Sequence, residues 1–517
     1  MRVAPWVIMT EQTSSRDGLG FATRQVHAGA DVAADGAHAR ATPIYLTAGY
    51  VFDDFDQARD RFGGAEDGFT YTRIGNPTTS AVERRIAALE GGIDAILVGS
   101  GQAAVSVAVL ALLSSGDHLV SANSIYEGSR GLFLENFRRA GIETSFVTDA
   151  NDPLAWELAI RPSTRALFVE SIPNPKNDLV DIALVASVAH RHGIPLIVDN
   201  TFATPYLLRP LEHGADVVVH SASKFLAGHG SVLGGVIVSG SEFDWAVTAP
   251  ASETALFPQL TDPVRSLGGA SHVDRFGAAA FITYARDAVA SRLGPTPSPL
   301  NAFLIQQGIE TLSLRVDRQS ASALAIARWL EARPEVVSVD HAGLESSPYH
   351  ALASRYLPDG QGSVFAFTLR GGTAAARAFV DAVGLFTRMT HLGDVRSLII
   401  HPASTTHAWR SPEQLAEAGI WPGLLRLSIG VEDPADLLAD LEQALAALPA
   451  STPSPPAPPS PPALPENEGD SARHADSVGS SAARRPKSPS FSGTSLFSEG
   501  SGETEGAGES ESARVRA

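Results

Sequence analysis

The stretches Ile197–Leu207, IVDNTFATPYL, and Asp216–Gly235, DVVVHSASKFLAGHGSVLGG, decide how this chain folds. Each opens on a short run of apolar, largely β-branched residues and closes on polar ones. Such uninterrupted runs are the sequence form of strands covered on both faces, as in a parallel sheet. Outward from this pair the pattern repeats: AILVG from Ala95, HLVSA from His118, ETSFVT from Glu143, ALFVES from Ala166 and GGVIVSG from Gly234 read as further strands. Helical periodicity fits between several strands and also precedes the first. In TTSAVERRIAALEGG, from Thr78 to Gly92, Val82, Ile86 and Leu89 fall at helical spacing and the closing Gly pair supplies a stop. This alternation predicts an α/β domain built on a mainly parallel sheet.

From Ser241 to Pro299 the pattern weakens, with Pro, Gly and aromatic residues scattered through it, and an excursion without further strands is expected. A helical segment over Asn301–Ala332 follows. Then VVSVD (Val336), SVFAFTLR (Ser363), RSLIIHPAS (Arg396) and LLRLSIG (Leu424), closed by a helix over Pro434–Leu448, predict a smaller α+β domain. The expected organisation is an extension over 1–20, a large domain over 21–300 with its N-terminal arm and insertion, and the smaller domain over 301–449. Over 450–517, STPSPPAPPSPPALP gives way to Ser, Gly and Glu, the composition of a disordered tail.

A chain of 517 residues exceeds what one core usually supports, in line with two domains. Its 39 Lys and Arg against 57 Asp and Glu give −18, which argues against nucleic acid or an anionic membrane as the main partner. Cysteine is absent, so disulfides, thiolate metal sites and a Cys nucleophile are excluded. No apolar run approaches the roughly 20 residues of a membrane helix. Val3–Met9 is short for a signal segment, so a cytoplasmic protein is expected, with Met9 as an alternative start.

Open α/β sheets bind ligands at the carboxyl ends of their strands, so Asp199, Ser221, Ser223 and Lys224 are expected to converge. A lysine beside hydroxyls and glycines directly after an apolar strand is an unusual pairing; its plain alternative is a surface lysine in a Gly-rich loop. GHGSVLGG does not match the dinucleotide fingerprint, and a P-loop needs its lysine after the second glycine, whereas Lys224 precedes these. There is no H-E-x-x-H and no G-x-S-x-G around Ser100. His220, His229, His401 and His407 read as structural, and no metal site is expected.

Taken together, SASKFLAGHG, VDNTFATPYL, YTRIGNPTTSAVERRIAALEGG and HPASTTH resemble the Cys/Met-metabolism enzymes, a fold-type I group dependent on pyridoxal 5′-phosphate. Within it the chain looks most like the sulfhydrylases acting on O-acetylhomoserine. The resemblance runs from about Phe21 to Leu448, with the motifs in family order. It implies an aspartate-aminotransferase-like large domain with the cofactor held on Lys224 as a Schiff base. Lys224 would also carry protons, which needs a lysine able to lose its charge near neutral pH. Asp199 would face the pyridinium nitrogen, and Tyr126 would stack on the ring. The amides of Gly101 and Gln102 and the hydroxyls of Ser221 and Ser223 would take the phosphate. Asn174 would contact the side of the ring hydroxyl, and Arg426 would clamp the substrate α-carboxylate. Tyr71 and Arg73 would reach the phosphate of a neighbouring subunit, which implies sites shared across a dimer interface in a homotetramer.

Two positions depart from the pattern. His391 stands where these sulfhydrylases usually carry Asn and the lyases often Ser, and Pro173 replaces a small polar residue. His391 therefore joins Arg426 as a candidate substrate contact. The activity implied is a γ-replacement in which sulfide or methanethiol displaces acetate from O-acetyl-L-homoserine, giving L-homocysteine or L-methionine. Alternatives within the family are cystathionine γ-synthase, O-acetylserine sulfhydrylase and methionine or cystathionine γ-lyase. Outside it stands a protein that binds the cofactor or an amino acid without turnover. The choice between acetyl and succinyl donors stays open.

Overall fold

The computed structural model describes residues 18–29, 38–249 and 254–449. The expectations for Met9 and for the tail fall outside the described residues. Seven strands form the larger sheet: β1 (Asp94–Val98), β2 (His118–Ala122), β3 (Glu143–Val147), β4 (Thr164–Glu170), β5 (Leu196–Asp199), β6 (Val217–His220) and β7 (Gly235–Ser239). Their order is β1-β7-β6-β5-β4-β2-β3, and only β7 runs against the rest. The reversal has a simple cause. Parallel neighbours need a long crossover, usually a helix, whereas residues 221–234 between β6 and β7 hold only turns and bends. Every residue of β6 and β7 is buried, which accounts for their unbroken apolar runs.

Helix ends follow local chemistry. The helix Pro77–Glu90 starts on Asn76, whose side chain accepts from the Thr78 amide at 2.9 Å, and stops at Gly91, at φ 79°. The helix Gly101–Leu112 starts on Ser100, whose hydroxyl accepts from the Ala103 amide.

A second sheet contains β8 (Val336–Asp340), β9 (Val364–Leu369), β10 (Thr387–Arg388), β11 (Leu398–Ile400) and β12 (Leu424–Ser428), in the order β10-β11-β12-β9-β8. Here only β10 and β11 pair in parallel. Phe365, Phe367, Phe379, Leu425 and Leu427 centre its core. The two-residue, exposed β10 carries no apolar run and was not legible.

Two further segments differ in detail from the sequence reading. The helical stretch after Pro299 is two helices, Pro299–Ile309 and Leu312–Glu331. At the break Arg315 Nη2 donates to the Gly308 carbonyl at 2.7 Å, and Gly308 packs so closely that a Cβ would stand 2.3 Å from the Ala227 carbonyl oxygen. Ala302, Ile305, Leu312 and Val316 join the core of the larger sheet, while Ala323 and Ile326 join that of the smaller. The longer helix therefore spans both cores. The excursion adds no strand among its described residues. It folds instead as short helices pinned by aromatic packing, with the Trp245 and Phe281 rings stacked at 4.9 Å.

Candidate active site

Asp199 ends β5, half-buried, and its register partner on β4 is Glu170, a buried acid. Asp199 Oδ1 accepts from the Thr201 amide at 2.9 Å and from its hydroxyl at 2.5 Å. Thr201 Oγ1 in turn accepts from the Ser221 amide at 2.8 Å. Ser221 lies against Gly101: a Cβ on that glycine would stand 2.6 Å from the Ser221 Cβ. Only glycine lets the start of this helix come so close to the end of β6. Glu170 Oε1 accepts from the Tyr126 amide at 2.6 Å. The Tyr126 ring passes over Gly128, where an added Cβ would lie 2.4 Å from Cε1 and 2.8 Å from Gln102 Nε2. Gly101, Gln102, Tyr126, Asp199 and Ser221 are thus brought together.

Lys224 follows in the turns after β6. Its Nζ is 3.0 Å from His391 Nδ1. Burial, and then the positive charge of Arg426, bring the amine down to about 8. Burial, with Lys224 beside it, brings His391 down to about 4, so the imidazole is neutral at pH 7. Arg426 lies on β12, 3% exposed. Its Nη1 donates to Asn174 Oδ1 at 3.1 Å, and its Nη2 donates to the carbonyls of Thr390 at 2.9 Å and His391 at 3.1 Å. Every one of these acceptors is neutral, and among the described residues Nε is buried without a partner. Burial lowers the guanidinium to about 10.

The carboxylates opposite carry the reverse pressure. Burial and the charge of Asp199 push Glu170 well above the usual range. Burial raises Asp199 too, against its bonds from Thr201 and the charge of His220. A cation at Asp199 would relieve that strain.

The hydroxyl of Ser223, expected at the phosphate, exchanges hydrogen bonds with Gly234, donating to the carbonyl at 3.2 Å and accepting from the amide at 3.1 Å. Tyr71 and Arg73 touch each other, with the guanidinium 5.5 Å from the ring centroid, and Arg73 Nη1 donates to the Ser291 carbonyl. Glu170 and Thr201 were missed by sequence reasoning, although a charged residue closing the apolar run ALFVES was a usable signal. Among the described residues no group of three or more His, Asp or Glu side chains is placed to hold a metal.

This donor set fits pyridoxal 5′-phosphate: a lysine of lowered basicity, an acid able to meet the ring nitrogen, and a helix start that a glycine brings against the Ser221 hydroxyl, where amides and a hydroxyl together suit the phosphate. Residues 22–446 match the family described as Cys/Met metabolism PLP-dependent enzyme. The chain is 44% identical over 435 residues to an O-acetyl-L-homoserine sulfhydrylase of Corynebacterium glutamicum, covering 84% of this chain and 99% of that one. It is 41% identical over 426 residues to a homocysteine synthase of Schizosaccharomyces pombe, covering 82% and 98%. Against an O-succinylhomoserine sulfhydrylase of Pseudomonas aeruginosa the identity is 40% over 435 residues, covering 84% and 97%. A crystal structure described as an O-acetylhomoserine (thiol)-lyase of Campylobacter jejuni, with a pyridoxyl-lysine phosphate, matches at a TM-score of 0.78 and 35% identity, covering 83% of this chain and all of that one. The chain therefore belongs to the Cys/Met-metabolism family of pyridoxal-phosphate-dependent enzymes.

Proposed function

We propose that this enzyme replaces the acetate of O-acetyl-L-homoserine with sulfide, or with methanethiol, giving L-homocysteine or L-methionine. One observation carries the reading: Lys224, an amine drawn toward neutrality, shares a site with Arg426, a buried guanidinium that has no acid to pair with among the described residues. Similarity to O-acetyl-L-homoserine sulfhydrylases over most of the chain supports the choice of donor.

Bound on Lys224, pyridoxal 5′-phosphate supplies an electron sink for bonds at the substrate α-carbon. Arg426 takes the substrate α-carboxylate, completing the charge pair it lacks. Lys224 removes the α-proton and exchanges a proton at the next carbon, while His391 Nδ1 holds its amine in place. Asp199 keeps the ring nitrogen protonated, Tyr126 covers the ring, and Asn174 sits on the side of the ring hydroxyl. Gly101, Gln102, Ser221 and Ser223 serve the phosphate, Ser223 through the turn it closes on Gly234. Tyr71 and Arg73 act on the phosphate of a neighbouring subunit in a homotetramer. A cytoplasmic location accords with the absence, among the described residues, of a helix long and apolar enough to cross a membrane.

The O-succinylhomoserine sulfhydrylase relative favours a succinyl donor as the second reading. Initial rates with O-acetylhomoserine, O-succinylhomoserine and O-acetylserine against sulfide, methanethiol and cysteine test both. O-Acetylhomoserine with sulfide should be the fastest pair, and cystathionine forming faster from cysteine would overturn the proposal.

A further inference from the structure

The short helix Glu127–Gly131 begins directly after Tyr126, and its first side chain is a carboxylate only 8% exposed. Donors from one distant segment converge on it. Arg410 Nε donates to Oε1 at 3.1 Å and Nη2 donates to Oε2, while Trp409 Nε1 donates to Oε1 at 3.1 Å. His407 Nε2 lies 3.8 Å from Oε2. A bidentate arginine on a carboxylate fixes direction as well as distance.

The two ends of this contact matter for the site. On one side, Gly128 follows Glu127 and forms the floor beneath the Tyr126 ring, so that anchoring Glu127 sets the surface the ring rests on. On the other, the segment Pro402–Arg410 leaves the smaller sheet just after β11, whose last residue, Ile400, is the register partner of Arg426. The pair therefore ties the backbone under Tyr126 to the strand beside the carboxylate clamp. Burying two charges costs desolvation that a packed apolar pair avoids, so stability alone is a poor reason to find them here. Orientation is a better one.

We infer that Glu127 and Arg410 form a positioning pair for the reaction, setting the plane of the Tyr126 ring relative to Arg426. A substrate seated by its carboxylate then meets the ring in one geometry. This rests on the placement of Tyr126 over the cofactor proposed above, and not on the identity of the acyl donor.

The test uses the full-length holoenzyme with Glu127→Gln, Arg410→Lys, the double variant Glu127→Gln/Arg410→Gln, and Trp409→Phe. Visible circular dichroism of the bound cofactor, recorded without substrate, reads ring geometry apart from turnover. Melting temperature and cofactor absorbance control for folding and loading. Each single change at Glu127 or Arg410 should alter the dichroic band at full cofactor occupancy and lower kcat by about 10- to 100-fold, as small misplacements of reacting groups do. KM should move by less than about threefold, because the loss falls on the transition state. The double variant should lose no more than the worse single, because its members act through one contact. Trp409, a residue 73% exposed, can become Phe with little risk to folding, and removing its one donor should give a smaller change of the same kind. Unchanged dichroism and kcat in the single variants would overturn the inference, as would losses that track only melting temperature or occupancy. Should the Glu127 and Arg410 variants fail to fold, unchanged dichroism in Trp409→Phe overturns it. Should no donor be turned over, the dichroic arm still decides, separating this inference from the proposed reaction.

Discussion

The wall of the site supplied by the larger sheet and the wall supplied by the smaller one are finished to different degrees. On the first, Asp199, Thr201 and Ser221 bond one another, Ser223 closes on Gly234, and Glu170 holds the Tyr126 amide. On the second, among the described residues, Arg426 Nε and His391 Nε2 are buried without hydrogen-bond partners, and the guanidinium meets only neutral acceptors. A buried polar group without a partner costs free energy that a ligand able to reach it can recover. On the function proposed above, the first wall would hold the resident cofactor and the second would take the substrate that comes and goes.

The largest expected effect breaks the first wall. Lys224→Ala should remove the visible band of the bound cofactor and cut turnover by at least about 10²-fold, the scale of losing a positioned proton carrier. Absorbance spectra and initial rates read both, and a coloured, active variant would refute the assignment of Lys224.

Next comes the second wall. Arg426→Lys keeps a charge but cannot reproduce the planar fork. Losing a buried, hydrogen-bonded partner for a carboxylate costs about 2–5 kcal/mol, so kcat/KM should fall at least about 30-fold. The cofactor spectrum should stay unchanged, since the proposed function sets Arg426 against the substrate carboxylate rather than the cofactor. A spectrum altered as strongly as the rate would erase the distinction between the walls.

A pH experiment sharpens the comparison from the cofactor side. Only the neutral amine of Lys224 can attack the cofactor's aldehyde, and its value of about 8 places the change close to neutrality. Below that value the ammonium dominates, so capture of pyridoxal 5′-phosphate by the apoenzyme should speed up by about fivefold from pH 7 to 8 and level off above. Stopped-flow absorbance would follow it. A rate still climbing above pH 10 would show an ordinary surface lysine instead.

The same contrast explains how much was legible in the sequence. Six of the seven strands of the larger sheet are almost wholly buried and read as apolar runs, because strands covered on both faces have no polar face to disguise them, whereas the edge strand β3 buries only Val147. Asp199 and Ser221 stood out since each closes such a run, and Lys224 since it follows one within a few residues. Glu170 closes one as well and was overlooked; its role appears only when β4 is laid against β5. Thr201 bridges Asp199 to Ser221 across 20 residues, and Arg410 reaches Glu127 across 283. Neither partnership has a local periodicity to betray it. The reversal of β7 was hidden for another reason: an antiparallel strand inside a buried sheet carries the same apolar run as a parallel one.

The smallest expected effect concerns His391, where the two walls touch through Lys224. His391→Asn keeps a side-chain acceptor on a shorter stem, so the amine loses an optimally placed partner but no charge is stranded, the imidazole being neutral at pH 7. The substitution also removes Nε2, one of the unpartnered buried atoms of the second wall. One hydrogen bond of this kind is worth about 0.5–1 kcal/mol, so kcat should fall about two- to fivefold. The backbone carbonyl of His391 still accepts from Arg426, so the carboxylate clamp should survive and KM for the donor should stay close to its starting value. Should KM rise while kcat holds, the unpartnered Nε2 is itself a contact to substrate and His391 belongs wholly to the second wall. Should kcat fall alone, its service is to Lys224. Steady-state kinetics of the single variant distinguishes the two outcomes.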